Sequence, residues 1–327
     1  SPTVAESLSS LGVALTYNGE FDTGEAQARE ALDIYEELLG PRHPGVIVPL
    51  NNLVTVLCYR GDKDEVADQL ATQALELAQE FLPADRIELG HALTHRALLL
   101  ARKGEYAEAV RLNRQALELF RRTLGEEHPE VASVLNNLAA STHRQGDAAG
   151  AEALYREALA LQRHLYGEDS SAVAQALHNV GALLVARGAY EEAERCYREA
   201  LAIVEDVHGA GHYSTVVISG GLANALSGQG RGREAETLLR QRRDLWQKTL
   251  AGSWFLPFAD SVLGEALLAQ RRFAEAEPLL VSGYEGLKGL RGEGFPRTLR
   301  ALTAVVDLYE AWGKGPEAER YRALLGA

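Results

Sequence analysis

The sequence predicts an all-α solenoid of about eight helix-turn-helix repeats. Three observations predict it: a glycine-anchored motif recurs about every 42 residues, apolar residues near each anchor follow a helical period, and good helix formers dominate the composition. Proline accounts for only 10 of the 327 residues. A repeat array also explains how a chain of this length folds without one large core.

The anchor motif is a glycine followed two residues later by an aromatic residue, with alanine close behind. Its clearest copies begin at Gly19, Gly104 and Gly188. Weaker copies, one of them with arginine in place of glycine, complete the series at Gly61, Gly146, Gly230, Arg271 and Gly313. Successive anchors lie 41 to 43 residues apart, and a period this steady indicates eight structural units.

Each unit has the pattern of two amphipathic helices joined at the anchor. Before the fifth anchor, Leu177, Val180, Gly181 and Leu184 share one helical face. Glycine at the anchor allows the positive φ of a tight turn at no steric cost. Five residues after each anchor, a mostly small side chain predicts close approach of the second helix to the first. These residues are Gly24, Val66, Ala109, Ala151, Ala193, Ala235, Ala276 and Ala318.

The predicted domain organisation is a single solenoid, 1–327. Its approximate repeats are 1–44, 45–86, 87–129, 130–171, 172–214, 215–254, 255–296 and 297–327, the last being a C-terminal cap. The start at a repeat boundary and the lack of any Met suggest a piece of a longer array. In the sixth repeat, Gly220 and Gly221 predict an interrupted first helix, because glycine costs roughly 1 kcal/mol per helical position relative to alanine.

The motifs resemble those of the tetratricopeptide family, and the longer repeat resembles the kinesin-light-chain class within it. The strings that carry this resemblance are Leu-Asn-Asn-Leu-Ala at Leu135–Ala139 and Leu-Gly-x-x-His-Pro at Leu39–Pro44 and Leu124–Pro129. The resemblance covers essentially the whole chain. It implies a right-handed superhelical solenoid whose concave groove, lined by the first helix of each repeat, binds a protein or peptide.

The last repeats carry a narrower resemblance. The segments Ala276–Leu287 and Tyr309–Lys314 are similar to the C-terminal repeat arrays of bacterial serine/threonine kinases. The chain has no kinase signature, neither a glycine-rich phosphate loop nor the catalytic-loop and metal-binding strings. The resemblance therefore implies a sensor or docking portion whose catalytic part lies elsewhere.

Charge and cysteine content narrow the partners and the compartment. A net charge of −13 and an isoelectric point near 5.2 disfavour a general nucleic-acid or anionic-membrane surface. No apolar run approaches the length of a membrane span. Cys58 and Cys196 are the only cysteines and lie far apart in the sequence, so we do not expect a disulfide framework. This cysteine usage is typical of a reducing compartment, and we expect a cytoplasmic protein.

The chain has no pattern typical of catalysis, metal binding or a cofactor. Among its nine histidines, His43, His128 and His212 fall in the linkers between repeats, where packing or capping is the expected role. The remaining histidines lack metal-ligand spacing, and no His-Glu-x-x-His string occurs. The expectation is a protein that is not an enzyme and needs no cofactor.

The candidate binding residues follow from the repeat register. By the family resemblance, positions about 13, 10, 6, 3 and 2 residues before each anchor face the groove. The candidate partner-binding residues are Asn51, Tyr59, His91, Thr94, Arg102, Asn136, His143, Arg144, Gln175 and His178. The arginines and histidines favour an acidic segment, and the asparagine amides suit a peptide backbone. The alternative is that these groups are solvated or paired with neighbouring Glu.

The leading functional hypothesis is a scaffold that recruits a segment of a protein or peptide in its groove. The basic groove residues favour an acidic segment. Two alternatives stay open. One is a ligand-sensing regulatory part of a larger bacterial signalling protein, and the other is a structural scaffold that self-associates as a homo-oligomer.

Overall fold

A computed structural model describes residues 1–17, 20–61 and 63–325. The chain is 84% helical, and the described residues contain no strand. Sixteen α-helices follow one another in a repeating helix-turn-helix pattern over these residues. The all-α repeat fold is therefore confirmed. The first anchor, Gly19, lies outside the described residues.

The helices fall in two compact units, 1–161 and 162–327. The first eight helices are α1 Pro2–Tyr17, α2 Phe21–Leu39, α3 Ile47–Arg60, α4 Asp64–Phe81, α5 Ile87–Arg102, α6 Tyr106–Leu124, α7 Pro129–Arg144 and α8 Ala148–Tyr166. The others are α9 Ser171–Ala186, α10 Tyr190–His208, α11 Tyr213–Gly228, α12 Gly232–Thr249, α13 Phe255–Ala269, α14 Phe273–Arg291, α15 Pro296–Trp312 and α16 Gly315–Leu325. A short 3-10 helix, Pro44–Val46, precedes α3.

Each unit consists of two layers of helices. In unit 1 the odd-numbered helices contact one another in sequence, α1 with α3, α3 with α5 and α5 with α7. In unit 2 the same holds for α9 with α11, α11 with α13 and α13 with α15. The even-numbered helices α2, α4, α6, α10, α12 and α14 pack behind them, each against the helices on either side in sequence. The odd-numbered helices of each unit thus form one layer, which we call the inner layer.

The anchors take the predicted positive φ. Gly61, Gly188 and Gly230 have φ of 75°, 77° and 77°, in the left-handed region that favours glycine. Arg271, which occupies the glycine position, adopts φ of 59° and is the one non-glycine residue with positive φ among the described residues. The repeat geometry therefore imposes the turn on an arginine, against its own backbone preference.

The small residues after the anchors are buried between the paired helices. Ala109, Ala151, Ala193, Ala235 and Ala276 are all 0% exposed. Around them, large apolar side chains fill each unit, such as the fully buried Leu50, Leu53 and Leu57 of α3 in unit 1. Burying a leucine stabilises the fold by about 2 kcal/mol, so these layers supply most of the folding free energy.

The linker histidines cap helices, as the sequence predicts. Nδ1 of His128 accepts a hydrogen bond from the backbone N–H of Glu130 at 3.2 Å, at the start of α7. His212 accepts one from Ser214 at 3.3 Å at the start of α11, and His43 caps the 3-10 helix in the same way. An imidazole that accepts through Nδ1 satisfies one of the backbone donors that a helix leaves unpaired at its N-terminus.

The expected interruption at Gly220 and Gly221 is wrong, since α11 continues through both residues to Gly228. The reason is packing in unit 2. A Cβ added to Gly221 would lie 2.2 Å from Cε1 of Tyr197, whose ring is 2% exposed. Glycine is therefore required for the Tyr197 ring to lie against α11, and this contact offsets the low helix propensity.

An ion pair recurs at the same position between neighbouring helix-turn-helix repeats. A glutamate six residues after one anchor contacts a basic residue beside the next anchor: Glu25 with Lys63 at 2.8 Å, Glu194 with Arg231 at 2.6 Å and Glu277 with Lys314 at 3.3 Å. Each pair is partly exposed, so its contribution to stability is about 1 kcal/mol or less. The same contact thus recurs between successive helix pairs.

Candidate functional site

The inner layer of unit 1 forms a groove with a volume of about 830 Å³. We call it the unit 1 groove. Its walls come from α1, α3, α5 and α7. The lining residues are Val13, Val48, Asn51, Asn52, Thr55, Cys58, Tyr59, Ile87, Glu88, His91, Thr94, His95, Leu98, Arg102, Glu130, Ser133 and Asn137. Apolar side chains thus alternate with amides, hydroxyls and a few charged groups, the composition of a ligand-binding cleft.

Five of the ten candidate residues lie together in this groove: Asn51, Tyr59, His91, Thr94 and Arg102. The repeat register explains their convergence, because equivalent positions on successive inner helices stack side by side. Tyr59 is 56% exposed, whereas Asn51 is 5% exposed. Their role in partner binding stays a prediction.

Asn51 belongs to a polar network at the floor of the groove. Its amide nitrogen donates to the Glu88 carbonyl at 3.1 Å, and its Oδ1 lies 3.3 Å from Nδ1 of His95. Nε2 of His95 lies 3.0 Å from the Thr55 hydroxyl. Burial, with a smaller effect of His91, lowers the pKa of His95 to about 3. His95 is therefore a neutral imidazole fixed on both ring nitrogens, and it ties α3 to α5.

The groove does not have the basic character that the sequence suggests, because its charges are compensated within unit 1. Arg102 pairs with Asp64 of α4 and donates to the Cys58 carbonyl at 2.8 Å. His91 lies 3.8 Å from the Glu130 carboxylate. Glu88 forms an ion pair with Arg86 at 2.7 Å, which lowers the pKa of this carboxyl. Arg102 is thus paired with a neighbouring carboxylate, that of an aspartate, and its role in partner binding stays a prediction.

Cys58 lines the groove as a thiol. Burial raises its pKa to about 11, although the nearby Arg102 acts in the opposite direction. The thiolate, which is the nucleophilic and metal-binding form, is therefore scarce at neutral pH. Among the described residues, no group of three or more His, Cys, Asp and Glu side chains is placed to hold a metal ion.

Three other candidates, Asn136, His143 and Arg144, lie in α7 but are not among the groove lining residues. The Asn136 amide donates to the carbonyl of Ala132 at 3.0 Å, one turn back in its own helix. Nδ1 of His143 is buried and has no hydrogen-bond partner among the described residues. Arg144 is exposed. Burial raises the pKa of Tyr155, and the positive charge of Arg144 opposes this effect. At this repeat Asn137 lines the groove instead of Asn136.

Gln175 and His178 belong to α9 in unit 2. Gln175 is exposed and donates to Asn179 within its own helix at 3.2 Å. The His178 ring packs edge-on against Tyr197, with centroids 5.6 Å apart. Burial and then the positive charge of Arg297 lower the pKa of His178 to about 4, and its Nδ1 has no hydrogen-bond partner among the described residues.

The sequence-level register missed two positions per repeat. Glu88 and Glu130 lie 16 residues before their anchors, and Asn52, His95 and Asn137 lie nine before theirs. The signal was available, since these residues recur at the same repeat spacing as those selected. Only the rotation of each helix about its own axis decides which neighbouring positions face the groove.

None of the helices in the described part of the chain combines the length and apolar character needed to cross a membrane.

The sequence matches a known repeat model. Residues 3–80, 88–164, 130–206 and 172–248 match the model of the tetratricopeptide repeat. These ranges cover more than half of the chain, so the chain belongs to the tetratricopeptide repeat family. A search of curated protein sequences finds no significant match.

Solved structures share the fold at low sequence identity. The apo quorum sensor NprR from B. thuringiensis is 14% identical, with a TM-score of 0.68 over 97% of this chain and 86% of NprR. A Rap protein complexed with Competence and Sporulation Factor is 18% identical, with a TM-score of 0.55 over 95% of this chain and all of that one. A putative kinesin light chain from Podosopora anserina is 24% identical, with a TM-score of 0.54 over 63% of this chain and 96% of its own. Kinesin-light-chain-like repeat proteins are thus among the structures that this chain resembles.

Proposed function

We propose that the unit 1 groove binds an extended segment of a partner protein. The observation that carries the proposal is a groove of about 830 Å³ in which polar and apolar side chains alternate. Ser133 and Asn137 present a hydroxyl and an amide to it, groups that can donate to and accept from a peptide backbone. Val48, Ile87 and Leu98 supply apolar contacts for the ligand's side chains.

Preorganisation supports the same function. Asn51, Thr55 and His95 hold one another by hydrogen bonds, so the groove floor is rigid before a ligand arrives. A rigid site loses less conformational entropy on binding. The fold accommodates partners elsewhere, since one protein that shares it is complexed with Competence and Sporulation Factor.

The charge of the preferred segment differs from the sequence-level expectation. In unit 1, Asp64 already compensates Arg102 and Arg86 compensates Glu88, and the Glu130 carboxylate lies beside His91. A strongly acidic segment would have to compete with Asp64 for Arg102. We therefore propose a segment of mixed or neutral charge for this groove, with Arg102 contributing a single polar contact.

A peptide-display selection against the whole chain tests the proposal. Selected peptides should bind the wild-type chain. Their affinity for the Ser133→Arg variant should be at least tenfold lower, because the substitution places a long side chain in the groove. A tenfold loss of affinity corresponds to roughly 1.4 kcal/mol. Tyr59→Ala should weaken the same peptides less, because half of this ring is already solvated.

The matched control is Ala107→Arg, which adds an arginine to the exposed surface of α6 in the same unit. Equal loss in Ser133→Arg and Ala107→Arg would contradict a groove site. If no peptide is selected and the mass of the chain rises with concentration in sedimentation experiments, self-association replaces partner binding as the function.

A further inference from the structure

Arg297, at the start of α15, is an arginine held by aromatic rings instead of a carboxylate. Its guanidinium lies 4.2 Å from the centroid of the Phe258 ring and 5.2 Å from that of Trp254. Trp254 in turn packs edge-on against Phe295 at 5.3 Å. Ring faces attract the cation, but they offer no acceptor for its five N–H donors.

Arg297 is half-buried without a carboxylate partner, whereas other arginines that form no ion pair among the described residues, such as Arg144 and Arg233, are exposed. Acidic residues outnumber Lys and Arg by 46 to 33, and many of the described arginines form ion pairs. No ion pair joins Arg297 to any described residue, and burial together with the charge of Arg300 lowers the pKa of its guanidinium to about 10. A charge in this position is left for an acceptor from outside the chain.

Arg300 adds to the positive potential around Arg297. It lies one turn further along α15 and pairs with Glu265 of α13 at 2.6 Å. His178 of α9 is close enough for the charge of Arg297 to lower its pKa, so its imidazole is neutral, and its Nδ1 is buried without a partner among the described residues. The two guanidinium groups thus have one carboxylate partner among the described residues, that of Glu265.

We infer that Arg297 and Arg300 form a second binding site, in unit 2, for an acidic side chain of a peptide segment whose neighbouring residue is apolar. The guanidinium fork matches the two oxygens of a carboxylate. The half-buried Trp254 supplies an apolar surface beside the charge, and the buried Phe258 ring supports the arginine from below the surface. Glu265 disfavours a doubly charged phosphate more than a singly charged carboxylate, because it lies against Arg300 in the same site.

The test uses a fluorescently labelled peptide of alternating Glu and Leu, and the same peptide with Gln in place of Glu. The acidic peptide should bind the whole wild-type chain at least tenfold more tightly than the Gln peptide, measured by anisotropy. Arg297→Gln should remove this preference, since a hydrogen bond to a charged group contributes roughly 1.5–3 kcal/mol, equivalent to a tenfold or larger change. Binding should also change the fluorescence of Trp254.

The matched control is Arg233→Gln, which removes an exposed arginine from α12 in the same unit and should leave the preference unchanged. Anisotropy with the Glu and Gln peptides tests Arg297→Gln in unit 2, whereas display-selected peptides test Ser133→Arg in unit 1, so failure of this inference is distinguishable from failure of the unit 1 proposal. Circular dichroism establishes that each variant is folded. Equal binding of the two peptides, an unaffected Arg297→Gln variant, or displacement by equimolar inorganic phosphate would each overturn the inference.

Discussion

The inner layers of the two units use the same repeat position for opposite charges. Sixteen residues before the anchor, unit 1 carries Glu88 and Glu130, whereas the last repeat of unit 2 carries Arg297. Glu88 is compensated by Arg86, whereas Arg297 lies beside aromatic rings and has no carboxylate partner among the described residues. The difference teaches that the repeat fixes where a groove side chain stands and leaves its charge free to vary.

The packing of the inner helices also differs between the two units. In unit 1, Asn51 and His95 hydrogen-bond between neighbouring inner helices. In unit 2, Gly221 of α11 presents a bare backbone against which Tyr197 packs, and the adjacent Gly220 lies beside Val262. A polar contact with an imidazole is sensitive to protonation, and a contact with a glycine is sensitive to added volume. The following predictions test this contrast, beginning with the largest effect.

Acid should destabilise the chain through two buried histidines, His95 and His178. Above pH 6.5, the usual pKa of histidine, His95 and His178 are neutral in both folded and unfolded chains, and their full contribution to stability is present. As the pH falls from 6.5 toward about 4 for His178 and about 3 for His95, the unfolded chain binds protons that the folded chain does not. Stability should fall by at most about 1.4 kcal/mol per pH unit for each histidine.

Urea unfolding at a series of pH values measures this slope. His95→Gln and His178→Gln should each flatten it in that window, while carboxylates common to all variants contribute equally. Arg297→Gln should raise the pKa of His178 and so reduce its part of the slope, with no effect on that of His95. A wild-type slope retained in both histidine variants would show that neither imidazole is held neutral.

The adjacent glycines of α11 should respond in opposite directions to alanine. Gly221→Ala should lower the free energy of unfolding by about 2 kcal/mol, because the new Cβ meets the buried Tyr197 ring. Gly220→Ala should raise it by about 0.5–1 kcal/mol, since its Cβ would lie at an ordinary 3.4 Å from Val262 and alanine favours the helix. Chemical denaturation of both variants decides the matter, and equal effects would contradict the packing described for Tyr197.

Unit 1 carries a polar residue in its core that costs stability. Asn113 of α6 is 0% exposed, and neither polar atom of its side chain has a hydrogen-bond partner among the described residues. Asn113→Leu should raise the free energy of unfolding by about 1–2 kcal/mol, because an unsatisfied buried amide costs about 1–3 kcal/mol. Thermal unfolding measures the gain. A loss of stability would mean that the amide has a polar partner in solution.

Replacing Arg271 with glycine, the residue at the other anchors, should increase the stability of the chain. Arg271→Gly should stabilise unit 2 by about 0.5–1 kcal/mol, because glycine adopts φ of 59° without the strain of a side chain. The loss of the contact between Arg271 and the Phe273 ring offsets part of the gain. The reverse change, Gly230→Ala, should destabilise by a similar amount in the same thermal assay. A stabilising Gly230→Ala would show that the turn conformation is not required.

The fold was predictable because its signals are local and repeated. The anchor spacing predicted the turns, including the one at Arg271. The small residue five positions later predicted the buried contact between paired helices, for example at Ala193. The linker histidines His128 and His212 were expected to pack or cap, and both cap helices. Each of these features recurs eight times or in several repeats, so one weak copy is corrected by the others.

The site was less predictable because it depends on contacts between repeats. Arg102 was expected to offer its charge to a ligand, but Asp64, 38 residues earlier, pairs with it. Asn136 was expected in the groove, but Asn137 lines it, because a residue next in sequence is rotated by about 100° around the helix. His178 and Arg297 lie more than 100 residues apart in sequence, and no local pattern connects them.

The sequence by itself determined the helices, their turns and the pairing of neighbours, since helical period, glycine at positive φ and small contact residues act within one repeat. Tertiary structure alone decided which charges are neutralised, which histidine is buried and which arginine keeps an open hydrogen-bonding face. The physical reason is that charge compensation and burial depend on distances between side chains of different repeats, which the stacking of helices sets.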